Sequence, residues 1–101
     1  MVTARDEHGE LIALARGLSD DASVFYLQDI LVRPDHQQTG VGRQLLSVCL
    51  ERYGHVRQKV LLTDDDEAQQ RFYESLGYVK TTNYTAALLN AYVRFDPSPT
   101  P

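Results

Sequence analysis

Apolar residues recur along this chain in short runs separated by polar turn signals, and the period of the runs changes from one to the next. Val2 to Arg5 precedes the turn signal Glu7-His8-Gly9-Glu10, and Leu11 to Leu18 is mostly apolar after it, which predicts two strands joined as a hairpin. Leu11-Ile12-Ala13-Leu14-Ala15 suits a helix by composition, but Gly9, Gly17 and the short span favour a strand. The polar turn Ser19-Asp20-Asp21-Ala22-Ser23 leads into Val24 to Val32, a strong strand by its β-branched and aromatic content. Pro34 cannot donate to a ladder and marks the end of that strand.

Beyond a glycine-bearing loop, Val41, Leu45, Val48 and Cys49 are spaced as one face of a helix that runs to about Tyr53, with Gly54 as its stop. Lys59 to Thr63 is a short apolar strand. Asp64-Asp65-Asp66-Glu67 opens a second helix that continues through Leu76 and is closed by Gly77. The carboxylates suit its first turn, where orphan N–H groups and the macrodipole favour negative charge. Tyr78 to Thr82 and Ala91 to Phe95 read as two further strands, with Asn83 to Asn90 unassigned between them. The order β-β-β-α-β-α-β-β contains a strand–helix–strand crossover, which forces a parallel pair, so the expected fold is a mixed α/β (α+β) sheet. Residues 1–95 are expected to form a single domain, and 96–101, Asp-Pro-Ser-Pro-Thr-Pro, a disordered tail.

Composition narrows the function classes. The net charge is −4, from 14 acidic and 10 basic residues, and the basic residues are scattered. That argues against a nucleic-acid protein, which carries a basic patch, and against binding to an anionic membrane surface. Cys49 is the only cysteine, so an intramolecular disulfide and a cysteine metal cluster are excluded. The first residues lack an apolar signal core and no apolar run approaches transmembrane length, so the expected compartment is the cytoplasm.

The segment with chemical content runs from the end of a strand through Gln37-Gln38-Thr39-Gly40-Val41-Gly42 into a helix. A helix start exposes N–H groups that have no internal partner and carries partial positive charge, so it can hold an anion. Glycines at 40 and 42 let the backbone approach a phosphate without a Cβ in the way, and Arg33 and Arg43 can add positive charge. By itself, Gly-x-Gly at a helix start equally describes a loop that only turns the chain. It is not the dinucleotide fingerprint, because Leu45 stands where a Gly or Ala is needed, and it lacks the Gly-Lys-Ser/Thr of a P-loop.

The neighbouring residues make the pattern specific. Val32-x-Pro34 ends the strand and Gln37-x-x-Gly40-x-Gly42 opens the helix. In a later block, Asp66 stands where an Asn is usual and Phe72-Tyr73-Glu74-Ser75-Leu76-Gly77-Tyr78 follows. Together these blocks resemble the GNAT acyltransferase superfamily, over about Val2 to Thr82. The resemblance implies a GNAT-like fold with a V-shaped splay between the strands at 24–33 and 59–63. The pantetheine arm of acetyl-CoA would lie in that gap against the backbone of Ile30, Leu31 and Val32. The pyrophosphate would sit on the N–H groups of Gln38, Thr39, Gly40, Val41, Gly42 and Arg43, with Gln37 and Asp66 also counted among the cofactor-binding residues. A backbone N–H near Leu31 would polarise the thioester carbonyl.

The implied reaction is transfer of acetyl from acetyl-CoA to a primary amine, small or on a protein, by direct attack and without a metal. Tyr73 matches the position of the family's acid. A tyrosine titrates near about 10 and a thiol near about 8.5, so Tyr73 holds its proton at neutral pH while donation to a thiolate is uphill unless the site helps. Tyr73 also suits plain packing between Phe72 and Leu76. Asp29 is the only carboxylate on its strand and is the candidate general base, directly or through water. Strict alternation puts Tyr26, Gln28, Ile30 and Val32 on one face and Leu27, Asp29, Leu31 and Arg33 on the other, an assignment that a bulge would reverse. His8, His36 and His55 read as surface residues and Cys49 as a buried thiol.

Members of the superfamily usually carry helices ahead of the first hairpin, and here the hairpin comes first. Another subunit supplies that wall, the acceptor site is open, or the start lies further upstream; a homodimer is the expectation. The competing readings are an acyl-CoA-binding module without transfer activity and a structural domain that binds no nucleotide.

Overall fold

The computed structural model of the chain describes residues 1–97. The first hairpin forms as expected from strands β1 (Val2–Arg5) and β2 (Leu11–Ser19), which pair antiparallel. Its turn is held by Asp6, whose Oδ1 accepts the N–H of His8 at 2.8 Å and of Glu10 at 3.0 Å. Gly9 supplies the left-handed residue that this turn needs, at φ 81°. The second turn closes on Asp20, whose carboxylate accepts the N–H groups of Ala22, Ser23 and Val24 at 3.0, 2.8 and 3.1 Å and the hydroxyl of Ser23. Those bonds, the Ser23 hydroxyl first, hold the Asp20 carboxyl well below the usual carboxylate range.

Strand β3 (Val24–Val32) pairs antiparallel with β2 and parallel with β4 (Gln58–Leu61), giving one mixed sheet in the order β1-β2-β3-β4. Between β3 and β4 runs helix α1 (Val41–Arg52), the crossover that the parallel pair requires. Helix α2 (Glu67–Glu74) follows β4.

The β2–β3 ladder is not uniform. Arg16 faces Asp29, but Gly17 faces Leu27, so Gln28 is an extra residue in β3. Such a bulge reverses the facing of side chains beyond it. Phe25 and Leu27 before it and Ile30 and Val32 after it all pack toward the core, whereas Tyr26 and Asp29 share the other face. Strict alternation along the strand therefore does not hold, and Tyr26 does not share a face with Ile30.

The core lies on one side of the sheet, where α1 covers β1, β2 and β3. Leu45, Leu46 and Cys49 of α1 meet Ala13, Ala15, Phe25, Leu27 and Val56, and Phe25 stacks on Tyr53 with ring centroids 4.6 Å apart. Leu46 is fully buried while Val48 is 49% exposed, contrary to the expected face. The apolar stripe is centred between Leu45 and Leu46, and at 3.6 residues per turn Val48 falls on its flank. Full burial of a leucine or phenylalanine side chain is worth about 1.5–3 kcal/mol, so Leu46 and Phe25 carry a large share of a small core.

Two expected strands do not form. Tyr78 to Thr82 runs into a short 3₁₀ turn, Thr81–Asn83, in which Asn83 N–H donates to Lys80 O at 2.8 Å and Tyr84 N–H to Thr81 O at 3.3 Å. These local bonds use donors that a ladder would need. Ala91 to Phe95 has strand composition but no ladder partner among the described residues, and stays irregular. Of the expected tail, Asp96 and Pro97 carry no regular structure and 98–101 lie outside the described residues. No helix among the described residues is long and apolar enough to cross a membrane.

Gly17 sits at the bulge beneath the Phe25 ring. A Cβ there would lie 2.7 Å from Phe25 Cζ and 2.9 Å from Tyr26 O, closer than real Cβ atoms come. Gly17→Ala should therefore cost about 1–3 kcal/mol by overpacking, read as a lower urea midpoint. An unchanged midpoint would mean that the ring moves aside freely.

Candidate active site

The loop between β3 and α1 is shaped by two left-handed residues, Gln38 at φ 63° and Gly40 at φ 89°. A non-glycine residue there is uncommon, and such residues gather at ligand sites. Gly40 is the N-cap of α1 and has no side chain to offer its first turn. The first helical N–H with an acceptor is that of Gln44, which donates to Gly40 O at 3.0 Å. Among the described residues, the N–H groups from Gln38 to Arg43 have no acceptor of ordinary geometry. A helix N-terminus in this state presents a row of free donors and a partial positive charge. A Cβ on Gly42 would sit 3.5 Å from Val32 Cγ2 and 3.9 Å from Phe72 Cζ, so β3, α1 and α2 converge at this point.

Beside the loop the sheet opens. The parallel ladder consists of Val24–Gln58, Phe25–Lys59, Tyr26–Val60 and Leu27–Leu61, and then stops. β3 continues to Val32, so Gln28, Asp29, Ile30, Leu31 and Val32 have no strand partner on the β4 side. The bulge at Gln28 marks the point of divergence. An unpaired strand edge is a row of free N–H and C=O groups that an extended ligand can use.

Tyr73 lies near the C-terminus of α2, with its ring edge-on to both Phe72 (centroids 5.1 Å) and Tyr78 (5.9 Å). Its side chain packs against the core, and burial raises its hydroxyl above the ordinary tyrosine range. The proton is thus held firmly at neutral pH. Tyr78 is pushed further, to about 12, mainly by burial and secondarily by Tyr73 and Cys49. Its hydroxyl is buried with no hydrogen-bond partner among the described residues.

The other candidate residues are placed less simply. Asp29 pairs with Arg16 directly across the β2–β3 ladder, on the sheet face away from α1. Asp66 is the N-cap of α2, its Oδ1 accepting the Ala68 N–H at 2.8 Å. The Gln37 side-chain amide turns back to donate to Val32 O at 3.2 Å. The guanidinium of Arg33 is shared between Asp35 at 2.9 Å and Glu10 at 3.6 Å. That of Arg43 donates to the hydroxyl and carbonyl of Ser75, so it ties the start of α1 to the end of α2. In this arrangement the positive character of the loop comes from its backbone. Composition could not have pointed to the Arg43–Ser75 link, because 32 residues separate the two groups. Cys49 is buried, as expected, and burial raises its thiol.

Residues 1–80 match the acetyltransferase (GNAT) domain family. A Gibberella zeae protein named as an acetyltransferase is 37% identical over 62 residues, which is 58% of this chain and 35% of that protein. The structure of a GNAT-family acetyltransferase from Streptococcus pneumoniae superposes with a TM-score of 0.80 at 24% identity, covering 93% of this chain and 68% of that one. The structure of AAC(6')-Iy in complex with the bisubstrate analogue CoA-S-monomethyl-acetylneamine gives a TM-score of 0.62 at 20% identity, over 90% of this chain and 67% of that one. These two likenesses are of fold. The chain spans from 35% to 54% of the length of the curated relatives it matches.

The tyrosine pair has a measurable signature. A phenol whose pKa in the folded protein is raised to about 12 stabilises fully below the unfolded value near 10. Above that value the unfolded state has already lost its proton, so stability falls as pH rises toward about 12. The urea midpoint should drop across this window in the native chain and less steeply in Tyr78→Phe. Equal slopes would show that Tyr78 does not titrate late.

Proposed function

Because the chain belongs to the GNAT acetyltransferase family, we propose that it moves acetyl from acetyl-CoA to a primary amine by direct attack on the thioester. The observation that carries this reading is the meeting of α1, β3 and α2 at Gly42. It sets the free N–H groups of the α1 N-terminus beside the unpartnered edge of β3 beyond Leu27, with α2 reaching the same point through Phe72, the neighbour of Tyr73. The first suits a pyrophosphate and the second an extended pantetheine arm. Gly40 faces open space and leaves the loop backbone open to close approach, while Gly42 lets α1 pack closely on Val32 and Phe72, so the residues present fit coenzyme A. A bisubstrate analogue containing CoA in the related fold of AAC(6')-Iy supports the same assignment.

In this reading acetyl-CoA supplies the activated acyl group, and the chain holds it. The N–H groups from Gln38 to Arg43 bind phosphate oxygens, with Gln37 shaping the loop through Val32. Backbone groups of Ile30, Leu31 and Val32 align the arm, and an N–H near Leu31 takes up negative charge on the carbonyl oxygen. The acceptor nitrogen forms its bond to the acyl carbon as the carbon–sulfur bond breaks. Tyr73 returns a proton to the departing sulfur; burial raises the phenol and makes it a weaker donor, and desolvation of the thiolate, which raises the thiol in turn, offsets that. Asp29, directly or through water, is the proposed acceptor of the proton lost by the ammonium, and it must share its carboxylate with Arg16 while doing so. Asp66 acts from the N-cap of α2 and keeps that helix in place beside the cofactor.

The acceptor is a small amine or a protein amine. We further propose a homodimer: neither helix packs on the second face of the sheet, where Leu18 is 66% and Leu31 58% exposed. A monomer at micromolar concentration by light scattering would count against it.

Calorimetry with acetyl-CoA should give a binding isotherm for the native chain, and Gly42→Leu should weaken it by crowding the point where β3, α1 and α2 meet. Tyr73→Phe should bind acetyl-CoA normally while kcat across an amine panel falls by about a hundredfold or more. Binding without turnover in either form would instead identify an acyl-CoA-binding module, and no binding would sink both readings.

A further inference from the structure

Tyr73 is the penultimate residue of an eight-residue helix. So short a helix has little intrinsic stability, and its last turn would fray without outside support. An acid in general acid–base catalysis needs the opposite, because a misplacement of about 1 Å can cost about a hundredfold in rate. Something outside α2 must therefore hold this turn.

The support comes from the residues immediately after it. Gly77 takes up φ 93°, and the chain reverses so that Tyr78 N–H donates to Tyr73 O at 3.1 Å and Gly77 N–H to Glu74 O at 3.1 Å. This is the double bond pattern of a Schellman stop, in which the residue past the glycine packs on the residue whose carbonyl it bonds. Here those two residues are Tyr78 and Tyr73, and their rings meet edge to face at 77°. Tyr73 is thus gripped twice by the same residue, once through the backbone and once through the ring. The Leu76 N–H adds a further bond to Tyr73 O at 3.0 Å.

The Tyr78 hydroxyl has no hydrogen-bond partner among the described residues, so no polar group there sets the orientation of this ring. Its position comes from packing and from the turn. We propose that Tyr78 is a positioning residue for Tyr73, its ring and backbone holding the phenol against the site. This rests on Tyr73 being the acid of the proposed reaction. The ring, and not the hydroxyl, does the holding, so phenylalanine should serve in its place.

The test measures kcat, KM for acetyl-CoA and cooperative melting in Tyr78→Phe, Tyr78→Leu, Tyr73→Phe and the double variant Tyr73→Phe/Tyr78→Leu, with an amine accepted by the native chain. Tyr78→Phe should keep the native kcat and melt higher, since an unsatisfied buried hydroxyl is removed. Tyr78→Leu should lose about ten- to a hundredfold in kcat with an unchanged KM for acetyl-CoA. The double variant should be no slower than Tyr73→Phe, because a positioner has nothing left to position. A merely structural Tyr78 would instead move KM and kcat together, or add its loss to that of Tyr73→Phe. Native kcat in a folded Tyr78→Leu, beside an impaired Tyr73→Phe, overturns the positioning role and leaves the acid standing. An unimpaired Tyr73→Phe, or no amine accepted at all, overturns the acid and this proposal with it. Should Tyr78→Leu fail to melt cooperatively, Tyr78→Met takes its place: it fills the space without a ring to set against Tyr73, and native kcat there refutes the proposal.

Discussion

A central strand can pair along both edges only while both neighbours follow its pleat, and β3 meets that condition for four residues on the β4 side. Beyond Leu27 the extra residue Gln28 twists the strand, its facing reverses, and β4 is left behind. Both consequences matter. The reversal lets Phe25 and Leu27 share a core face with Ile30 and Val32, so one helix can cover the whole strand. The divergence leaves backbone donors and acceptors unspent beside the only helix N-terminus that lacks a side-chain cap among α1 and α2. A single misfit in the ladder thereby supplies the core with its continuity and the site with its opening.

The two helices meet that opening with different ends. α1 presents its N-terminus, uncapped at Gly40, where free N–H groups concentrate positive character. α2 presents its C-terminus, finished by Gly77 and held to α1 by the Arg43–Ser75 bonds. Arg43 also places a cation at carbonyls that carry partial negative charge, a favourable match to the α2 dipole. The N-terminus of α2 is closed by Asp66, whose carboxylate caps the helix. Polar groups that read as ligand-binding in isolation thus divide into those that hold the frame and those left free.

The strands at 2–5, 11–19 and 24–32, the crossover helix and the second helix with its glycine stop were legible in the chain because their determinants are local: β-branched runs, turn residues and an apolar period near 3.6. The loop at Gln37 to Gly42 and its partner block at Phe72 to Tyr78 were legible for the same reason, each lying within a few residues. The extended segments at 78–82 and 91–95 misled because strand composition describes a side-chain preference, whereas a strand exists only where a neighbouring edge accepts its hydrogen bonds. Val48 misled because the face of a helix is chosen by the surface it packs on.

By itself, then, the sequence determined a mixed α/β chain, the place of the glycine-bearing loop that opens α1 and the glycine-stopped aromatic block at the end of α2. Tertiary structure decided which side of β3 each residue faces, that Asp29 is paired with Arg16, that Arg33 and Arg43 are engaged elsewhere, and that Tyr78 closes on Tyr73. The physical reason is one of range. Backbone propensity and turn chemistry act over a few residues, while ladder register, ion pairing and ring contacts are settled between groups that only folding brings together. The Val32 to Arg43 segment shows both: its glycines marked a loop at a helix start, and its neighbours in space engaged Arg33 and Arg43 and left the positive character to the backbone.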